Sequence, residues 1–137
     1  MMRALLDTNV VLDWLLEREP WFSEGAALWQ QIEAGRIIGS ITSTTVTDIF
    51  SIARRATDLQ RARSAVEICL RALEICPVHR SELEKALDLP GNDYEDNLQV
   101  VCARAASLDT IVTRDPAGFQ SAPMPVLSPV DAAQRAG

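Results

Sequence analysis

Short apolar runs alternate along the chain with longer segments in which apolar residues recur every three or four positions. The runs occupy residues 4–6, 37–41, 74–78, 110–113 and 126–127. Runs of this length indicate strands, and the segments between them follow the period of a helix. Apolar strands that alternate with helices form parallel sheets covered on both faces. We therefore predict an α/β fold, a three-layer α/β/α sandwich with a mainly parallel central sheet.

Local signals indicate where these elements begin and end. The second predicted helix starts at a cap at Ser23, runs to about Glu33 and is stopped by Gly35. Asp58 is expected to cap a long fourth helix. Pro77 falls in the third predicted strand, which favours a strand end or the edge of the sheet for that segment.

Composition and charge narrow the function classes. The 137 residues, 47% of them hydrophobic, suit one domain over residues 1–137. A net charge of -6 argues against coating nucleic acid by bulk electrostatics, but not against meeting phosphate through bound cations. Three cysteines without a C-x-x-C pair and one histidine argue against a zinc site and favour buried thiols in a reducing cytosol. With no apolar run near ~18 residues and no signal-peptide pattern, we expect a cytoplasmic protein without a membrane span.

Four aspartates mark places where predicted strands end or predicted helices begin. Asp7 directly follows the first strand, and Asp115 follows the fourth strand by two residues. Asp48 and Asp96 lie in the first turns of two helices. Because the carboxyl ends of parallel strands share one edge of a sheet, we expect these acids to meet there. A hard divalent cation, Mg²⁺ or Mn²⁺, relieves the repulsion between such carboxylates and activates water at a phosphate, which predicts metal-dependent phosphodiester hydrolysis.

Each acid alone has a simpler explanation, because aspartates are common at turns and at the positive ends of helices. Their joint placement at one edge favours a site. Asp93 is predicted mainly as a cap of the helix that carries Asp96, with an accessory role in the site. Asn9 and Thr113 offer groups that can order metal-bound water, and Arg114 can hold a phosphate or form a surface ion pair.

Four segments, in this order, resemble PIN-domain proteins. They are LLDTNVVLDWLL at 5–16, NDYEDNLQ at 92–99, IVTRD at 111–115 followed by Phe119, and PVLSP at 125–129. The resemblance covers nearly the whole chain. It implies a PIN-like fold and a metal-dependent ribonuclease, familiar as the toxin half of bacterial toxin–antitoxin pairs. RNA is then the expected substrate and an antitoxin protein the expected partner.

The resemblance also assigns the acids. Three aspartates match the family's acidic positions and are implied as metal ligands: Asp7, Asp96 and Asp115. Asp48 falls where many members carry glutamate, and because it is one methylene shorter we expect it to reach a metal only through water. The shorter acid leaves open an alternative, a catalytically weak or silent PIN-like module that binds RNA or a protein. An aspartyl phosphotransferase is a weaker alternative, since it typically has a second acid where Asn9 stands and a lysine near the site, whereas Lys85 lies in a mid-chain helix.

Other charged and aromatic residues are assigned to the surface. Asp13 and Glu95 are predicted to be solvated charges of their helices. The densest basic stretch, four arginines within residues 54–63, can follow an RNA backbone, although a charged helix end explains it slightly better. Trp21 and Phe22 are expected to form an exposed apolar patch suited to a homodimer or an inhibitor protein.

Overall fold

The centre of the molecule is a five-stranded parallel sheet, in a computed structural model that describes all 137 residues. The strands are β1 (Met2–Leu6), β2 (Ile37–Thr42), β3 (Glu74–Cys76), β4 (Thr110–Val112) and β5 (Val126–Leu127). They lie in the order β3-β2-β1-β4-β5, and every neighbouring pair is parallel. The predicted parallel sheet is confirmed, with β1 at its centre.

Seven α-helices and one 3-10 turn cover both faces of this sheet. They are α1 (Thr8–Leu15), α2 (Phe22–Glu33), α3 (Ser43–Ala56), α4 (Leu59–Ala72), α5 (Arg80–Leu87), α6 (Tyr94–Ala105), the 3-10 turn (Pro116–Phe119) and α7 (Pro129–Ala136). α1 to α4 and α7 pack on one face, and α5, α6 and the 3-10 turn on the other. The predicted three-layer α/β/α sandwich is confirmed. None of these helices has both the length and the apolar character needed to cross a membrane.

The central strands send alternate side chains into two apolar cores. Ala4 and Leu6 of β1 point into the larger core, whereas Leu5 points into the smaller one. In β4, Val112 joins the larger core and Ile111 the smaller. All five side chains are buried. Because helices cover both faces, consecutive residues of these central strands are apolar, which is the pattern that the sequence presents.

Side-chain caps explain most of the helix starts. The Asp58 carboxylate caps α4 as predicted. α3 is capped by Thr42, whose hydroxyl accepts from the Thr45 amide at 3.2 Å. The predicted cap at Ser23 is wrong, because α2 begins one residue earlier and has no side-chain cap. Gly35 follows α2 with a φ of 77°, a left-handed conformation that glycine adopts without a steric cost.

The edge position predicted for the third strand is confirmed. β3 lies at the end of the sheet and pairs only with β2. The strand ends at Cys76, two residues earlier than the predicted run, and Pro77 follows it directly. Proline has no amide hydrogen for the ladder, which accounts for the early end.

The carboxyl ends of β1 and β4 meet at one edge of the sheet. Leu6 is in register with Val112, and the Asp7 amide donates to the Val112 carbonyl at 3.0 Å. α1 and α3 both begin at this edge, directly after β1 and β2. The first residues of the chain and residues beyond 110 are thereby brought side by side.

Candidate active site

A cavity of about 570 Å³ opens at this edge of the sheet. Six carboxylates line it: Asp7, Asp48, Asp93, Glu95, Asp96 and Asp115. The other lining residues are Thr8, Asn9, Ser51, Ile52, Arg55 and Gln99. The four aspartates that the sequence places at the edge therefore face one space, together with a single basic and a single aliphatic side chain.

Asp7 is the most firmly held of these acids. It is 9% exposed and directly follows β1, so the sheet fixes its backbone. One carboxylate oxygen accepts hydrogen bonds from the Thr8 amide at 2.8 Å and from the Gln99 amide group at 3.2 Å. The other accepts from the Thr113 hydroxyl at 2.8 Å. Asp7 thus serves as the cap of α1 and at the same time presents an oriented carboxylate to the cavity.

Thr113 joins the two acids that come from opposite ends of the chain. Its hydroxyl donates to Asp7 and accepts from the Asp115 amide at 3.0 Å. The side chain is buried and does not line the cavity, so it positions two carboxylates rather than ordering metal-bound water as expected. Asp115 itself is exposed at the start of the 3-10 turn.

Two predicted accessory residues do line the cavity. Asp93 caps α6, because its carboxylate accepts from the Asp96 amide at 3.0 Å, and it also faces the cavity. Asn9 lines the cavity on the side of α1, and its side-chain oxygen accepts from Arg18 at 3.1 Å. Both residues therefore stand at the rim with one oxygen already engaged by the protein.

Glu95 is exposed, as predicted, and it also lines the cavity, which was not predicted. A hydrogen bond with Asp48 is the main cause that raises the pKa of the Glu95 carboxyl to about 7. Burial adds to this shift, followed by the negative charges of Asp48, Asp93 and Asp7. The first turn of α6 thus presents Glu95 as well as Asp96 to the cavity, and Glu95 retains a proton at a pH where an ordinary glutamate has lost it.

Asp96 lies among like charges. Burial, followed by the negative charges of Asp93, Asp7 and Asp115, raises the pKa of the Asp96 carboxyl to about 6. Gly118 of the 3-10 turn packs against this carboxylate so closely that a Cβ atom there would overlap it. The mutual repulsion expected of gathered carboxylates is therefore visible at Asp96.

The chemistry of the lining suits a hard divalent cation. The acids offer carboxylate oxygens, and the side-chain carbonyl oxygen of Gln99 is buried without a hydrogen-bond donor. A cation would be bound by these oxygens and would offset the negative charges that, after burial, raise the pKa of Asp96. As the side chains stand, no three acidic, histidine or cysteine groups converge closely enough to hold a metal ion. The lining therefore offers the type of ligand that such an ion prefers. To bind the ion, the carboxylates must move closer to one another.

Arg114 lies outside the cavity lining and forms an ion pair, the second of the two roles expected for it, so it is not placed to hold a phosphate there. Its Nε donates to Asp13 at 2.8 Å, and its guanidinium lies 3.8 Å from the centre of the Trp21 ring. Asp13, predicted to be a surface charge, is 2% exposed and also pairs with Arg18 at 2.8 Å. Trp21 and Phe22 are partly buried, so the exposed apolar patch predicted there is absent.

Comparisons with known proteins agree with this architecture. The family model described as the PIN domain matches residues 3–117, and the chain belongs to the PIN-domain family. Over 138 aligned residues the chain is 25% identical to "Ribonuclease VapC1" of Aquifex aeolicus (strain VF5), covering 97% of this chain and 94% of that protein.

Solved structures share the fold. VapC20 of Mycobacterium tuberculosis, described as a sarcin-ricin loop cleaving toxin, superposes with a TM-score of 0.73 at 13% identity over 88% of this chain and 95% of that one. A toxin–antitoxin complex from Klebsiella pneumoniae gives a TM-score of 0.66 at 23% identity over 92% and 97%.

Proposed function

We propose that this protein is a divalent-metal-dependent endoribonuclease, the toxin of a toxin–antitoxin pair. The observation that carries the proposal is the single cavity into which β1, α3, α6 and the turn after β4 each bring a carboxylate, in a chain of the PIN-domain family. A relative named as a ribonuclease and structural neighbours described as toxins support it. We expect the activity in the cytoplasm, together with its RNA substrates.

We further propose Asp7, Asp96 and Asp115 as the ligands of Mg²⁺ or Mn²⁺, with Asp48 acting through water. A bound cation of this kind supplies an activated water and neutralises charge at the phosphate. The residues of the chain hold the donors in place: Gln99 and Thr113 orient Asp7, and Thr113 also binds the backbone of Asp115. The raised pKa of Asp96 supports the proposal, because a cation would offset the negative charges of Asp93, Asp7 and Asp115 that add to the effect of burial on this carboxyl.

Cleavage of RNA at varied Mn²⁺ or Mg²⁺ concentration tests this function. The wild-type protein should cut RNA only when a divalent ion is present, and Asp7→Asn should abolish cleavage. Asp88→Asn is the matched control, because it removes the same charge from an exposed residue at the end of α5, outside the cavity. Circular dichroism checks that each variant is folded. A wild-type protein that binds RNA but leaves it intact with both ions would show a silent module instead.

Metal binding has a readout besides activity. Because only the folded state offers the gathered carboxylates, millimolar Mn²⁺ should raise the melting temperature of wild type and of Asp88→Asn. The same ion should have a much smaller effect on Asp7→Asn. Equal shifts in all three proteins would show that the ion binds somewhere other than the cavity.

The toxin assignment is tested by growth. Expression of the wild-type chain in a bacterial host should stop growth, and the Asp7→Asn chain should not. Co-expression of the protein encoded by an adjacent reading frame should restore growth if that protein is the antitoxin. Rescue with no complex between the two purified proteins would argue against a paired inhibitor.

We also propose a homodimer, although not through the patch first expected. The exposed large apolar side chains are elsewhere, with Leu59 and Leu70 on α4 and Leu83 and Leu87 on α5. A two-fold pair would align two cavities into a longer path for RNA than one small domain offers. Sedimentation at tens of micromolar protein should show the dimer, and a single species of monomer mass would overturn this part of the proposal.

A further inference from the structure

We propose that Arg55 is a phosphate-binding residue of the RNA site and holds a backbone phosphate next to the one that is cut. The inference deepens the proposed function, on which it rests, by assigning a role to a residue that lines the cavity and is not an acid. Among the arginines of residues 54–63, only Arg55 lines the cavity.

The placement of Arg55 follows from helix geometry. α3 contributes four lining residues, Asp48, Ser51, Ile52 and Arg55, at the spacing i, i+3, i+4 and i+7. Residues with this spacing share one face of an α-helix. That face of α3 therefore forms one wall of the cavity, with the Asp48 carboxylate near the middle of the helix and the Arg55 guanidinium near its end. Arg55 lies about 10 Å farther along the helix axis than Asp48.

The charge of Arg55 is free for a ligand. Arg55 is exposed, and none of the four ion pairs of the structure includes it. Its side chain also makes no hydrogen bond within the chain. Arg18 and Arg114, in contrast, are both paired with Asp13. Arg55 is thus the one basic side chain in a cavity with six carboxylates, and it has not been neutralised by any of them.

An RNA strand needs such a charge in this cavity. The chain carries a net charge of -6, and a wall of carboxylates repels a polyanion except where a cation intervenes. A guanidinium is well suited to phosphate, because its planar donors can bind two phosphate oxygens at once. Since Arg55 lies about 10 Å along α3 from Asp48 and is not a proposed metal ligand, its contact should be made equally in the bound substrate and in the transition state. Loss of the contact should then raise KM and leave kcat nearly unchanged.

The experiment compares two substitutions that change the net charge equally. Arg55→Gln should raise KM for a single-stranded RNA about tenfold, the loss expected for one charged hydrogen-bonding contact, with kcat within about threefold of wild type. Arg54→Gln, one residue away on the same helix and outside the cavity lining, should leave both constants within about twofold. Arg55→Lys should lie between wild type and Arg55→Gln, because it keeps the charge without the planar donors. Equal effects of Arg55→Gln and Arg54→Gln would overturn the proposal.

Binding without cleavage separates this inference from the proposed function. In an Asp7→Asn background, the slope of log Kd for the same RNA against log salt should fall by about 0.7 when Arg55 is replaced by Gln, because one fewer phosphate is neutralised. The slope should not change with Arg54→Gln. If wild type cuts no RNA while this difference in slope remains, the ribonuclease proposal fails and the phosphate contact stands. If wild type cuts RNA and the two slopes are equal, the phosphate contact fails alone.

Discussion

Asp13 is buried and Asp96 is partly buried, and the charged neighbours of these two acids have opposite signs. Asp13 is 2% exposed and accepts from Arg18 and Arg114, each at 2.8 Å. Asp96 has carboxylates as its charged neighbours, and burial with their repulsion raises the pKa of its carboxyl to about 6. The protein's own arginines neutralise Asp13, whereas the charge of Asp96 is left to be neutralised by a group from outside the protein.

This difference in charged neighbours distinguishes an acid that stabilises the fold, Asp13, from an acid of the proposed site, Asp96. Asp13 connects α1 to the turn after β4 and to the segment after α1, because Arg114 and Arg18 belong to those parts of the chain. Removing one partner of such a pair leaves charges without compensation, which destabilises the folded state. Repelling carboxylates in a cavity instead cost stability, and this arrangement is typical of functional sites. The two aspartates should therefore respond to the same substitution with opposite signs.

The largest expected effect is on activity at Asp96. Asp96→Asn should lower the rate of RNA cleavage by about 10³-fold or more, because it removes a proposed metal ligand. In metal-free buffer the same variant should be at least as stable as wild type, since one repelled carboxylate is gone. Cleavage rate and urea denaturation in chelator measure the two effects. Wild-type cleavage by the folded variant would show that the carboxylates of the cavity were misassigned.

Substitution of Asp13 should destabilise the folded protein, whereas substitution of Asp96 should not. Asp13→Asn should lower the free energy of unfolding by about 2 kcal/mol, because Arg18 and Arg114 lose a shared charged acceptor in a partly buried setting. Urea denaturation measures the change, and Asp88→Asn, an exposed acid without such partners, should stay within about 0.5 kcal/mol of wild type. An unchanged free energy of unfolding in Asp13→Asn would contradict the proposed difference between Asp13 and the acids of the cavity.

A smaller effect is expected from pH. The pKa of the Asp96 carboxyl is raised from 3.8 to about 6 and that of Glu95 from 4.5 to about 7, so the folded state binds protons more tightly than the unfolded state. Their contribution is therefore fully present below about pH 4 and is lost as the pH rises to about 7. Because both groups are partly solvated, the loss should be on the order of 1 kcal/mol in metal-free buffer.

Melting temperatures between pH 4 and pH 8, in chelator and in Mn²⁺, check this dependence. The decline from Asp96 and Glu95 should be smaller in Asp96→Asn, and Mn²⁺ should reduce it in wild type. A slope that is the same in Asp96→Asn and in wild type would assign the pH dependence to groups outside the cavity.

The smallest effect is expected at Asp48. Asp48→Ala should lower the cleavage rate by about tenfold, less than Asp96→Asn, if its contact with the metal runs through water. Asp48→Glu should keep or raise the rate, because one more methylene extends its reach, provided that its neighbour Glu95 leaves room. The rate as a function of Mn²⁺ concentration measures both variants. A loss at Asp48→Ala as large as at Asp96→Asn would indicate direct ligation.

Sequence reasoning succeeded where topology alone decides the outcome. Asp7 and Asp115 were expected at one edge because they follow parallel strands, and β1 and β4 do lie side by side. The cap at Asp93 followed from its position before a helix, and its bond with the Asp96 amide confirms it. These inferences need only local patterns and the rule that the carboxyl ends of parallel strands share an edge.

The surroundings of a side chain could not be predicted from the sequence where they depend on the rotation of a helix about its axis or on a partner far away in the sequence. Which acids in the first turn of α6 line the cavity depends on the rotation of the helix, and exposed Glu95 lines it beside Asp96, about 100° away around the axis. Asp13 is buried because Arg18 and Arg114 reach it, and the second of these partners is 101 residues away. The same ion pair takes Arg114 away from the cavity and covers Trp21. A spacing pattern within one helix, such as that of α3, is the signal that would have identified Arg55.

The bond between Thr113 and Asp7 has a consequence for how the chain is made. The two residues are 106 positions apart, and β4 cannot pair with β1 until it has been synthesised. At about 5–20 residues per second, roughly 5–20 s pass between the addition of Asp7 and that of Thr113. Throughout that interval the nascent chain lacks the proposed cleavage site, because Thr113 and Asp115 have not yet been added. In a synchronised translation reaction, cleavage should appear only after full-length chains have been released.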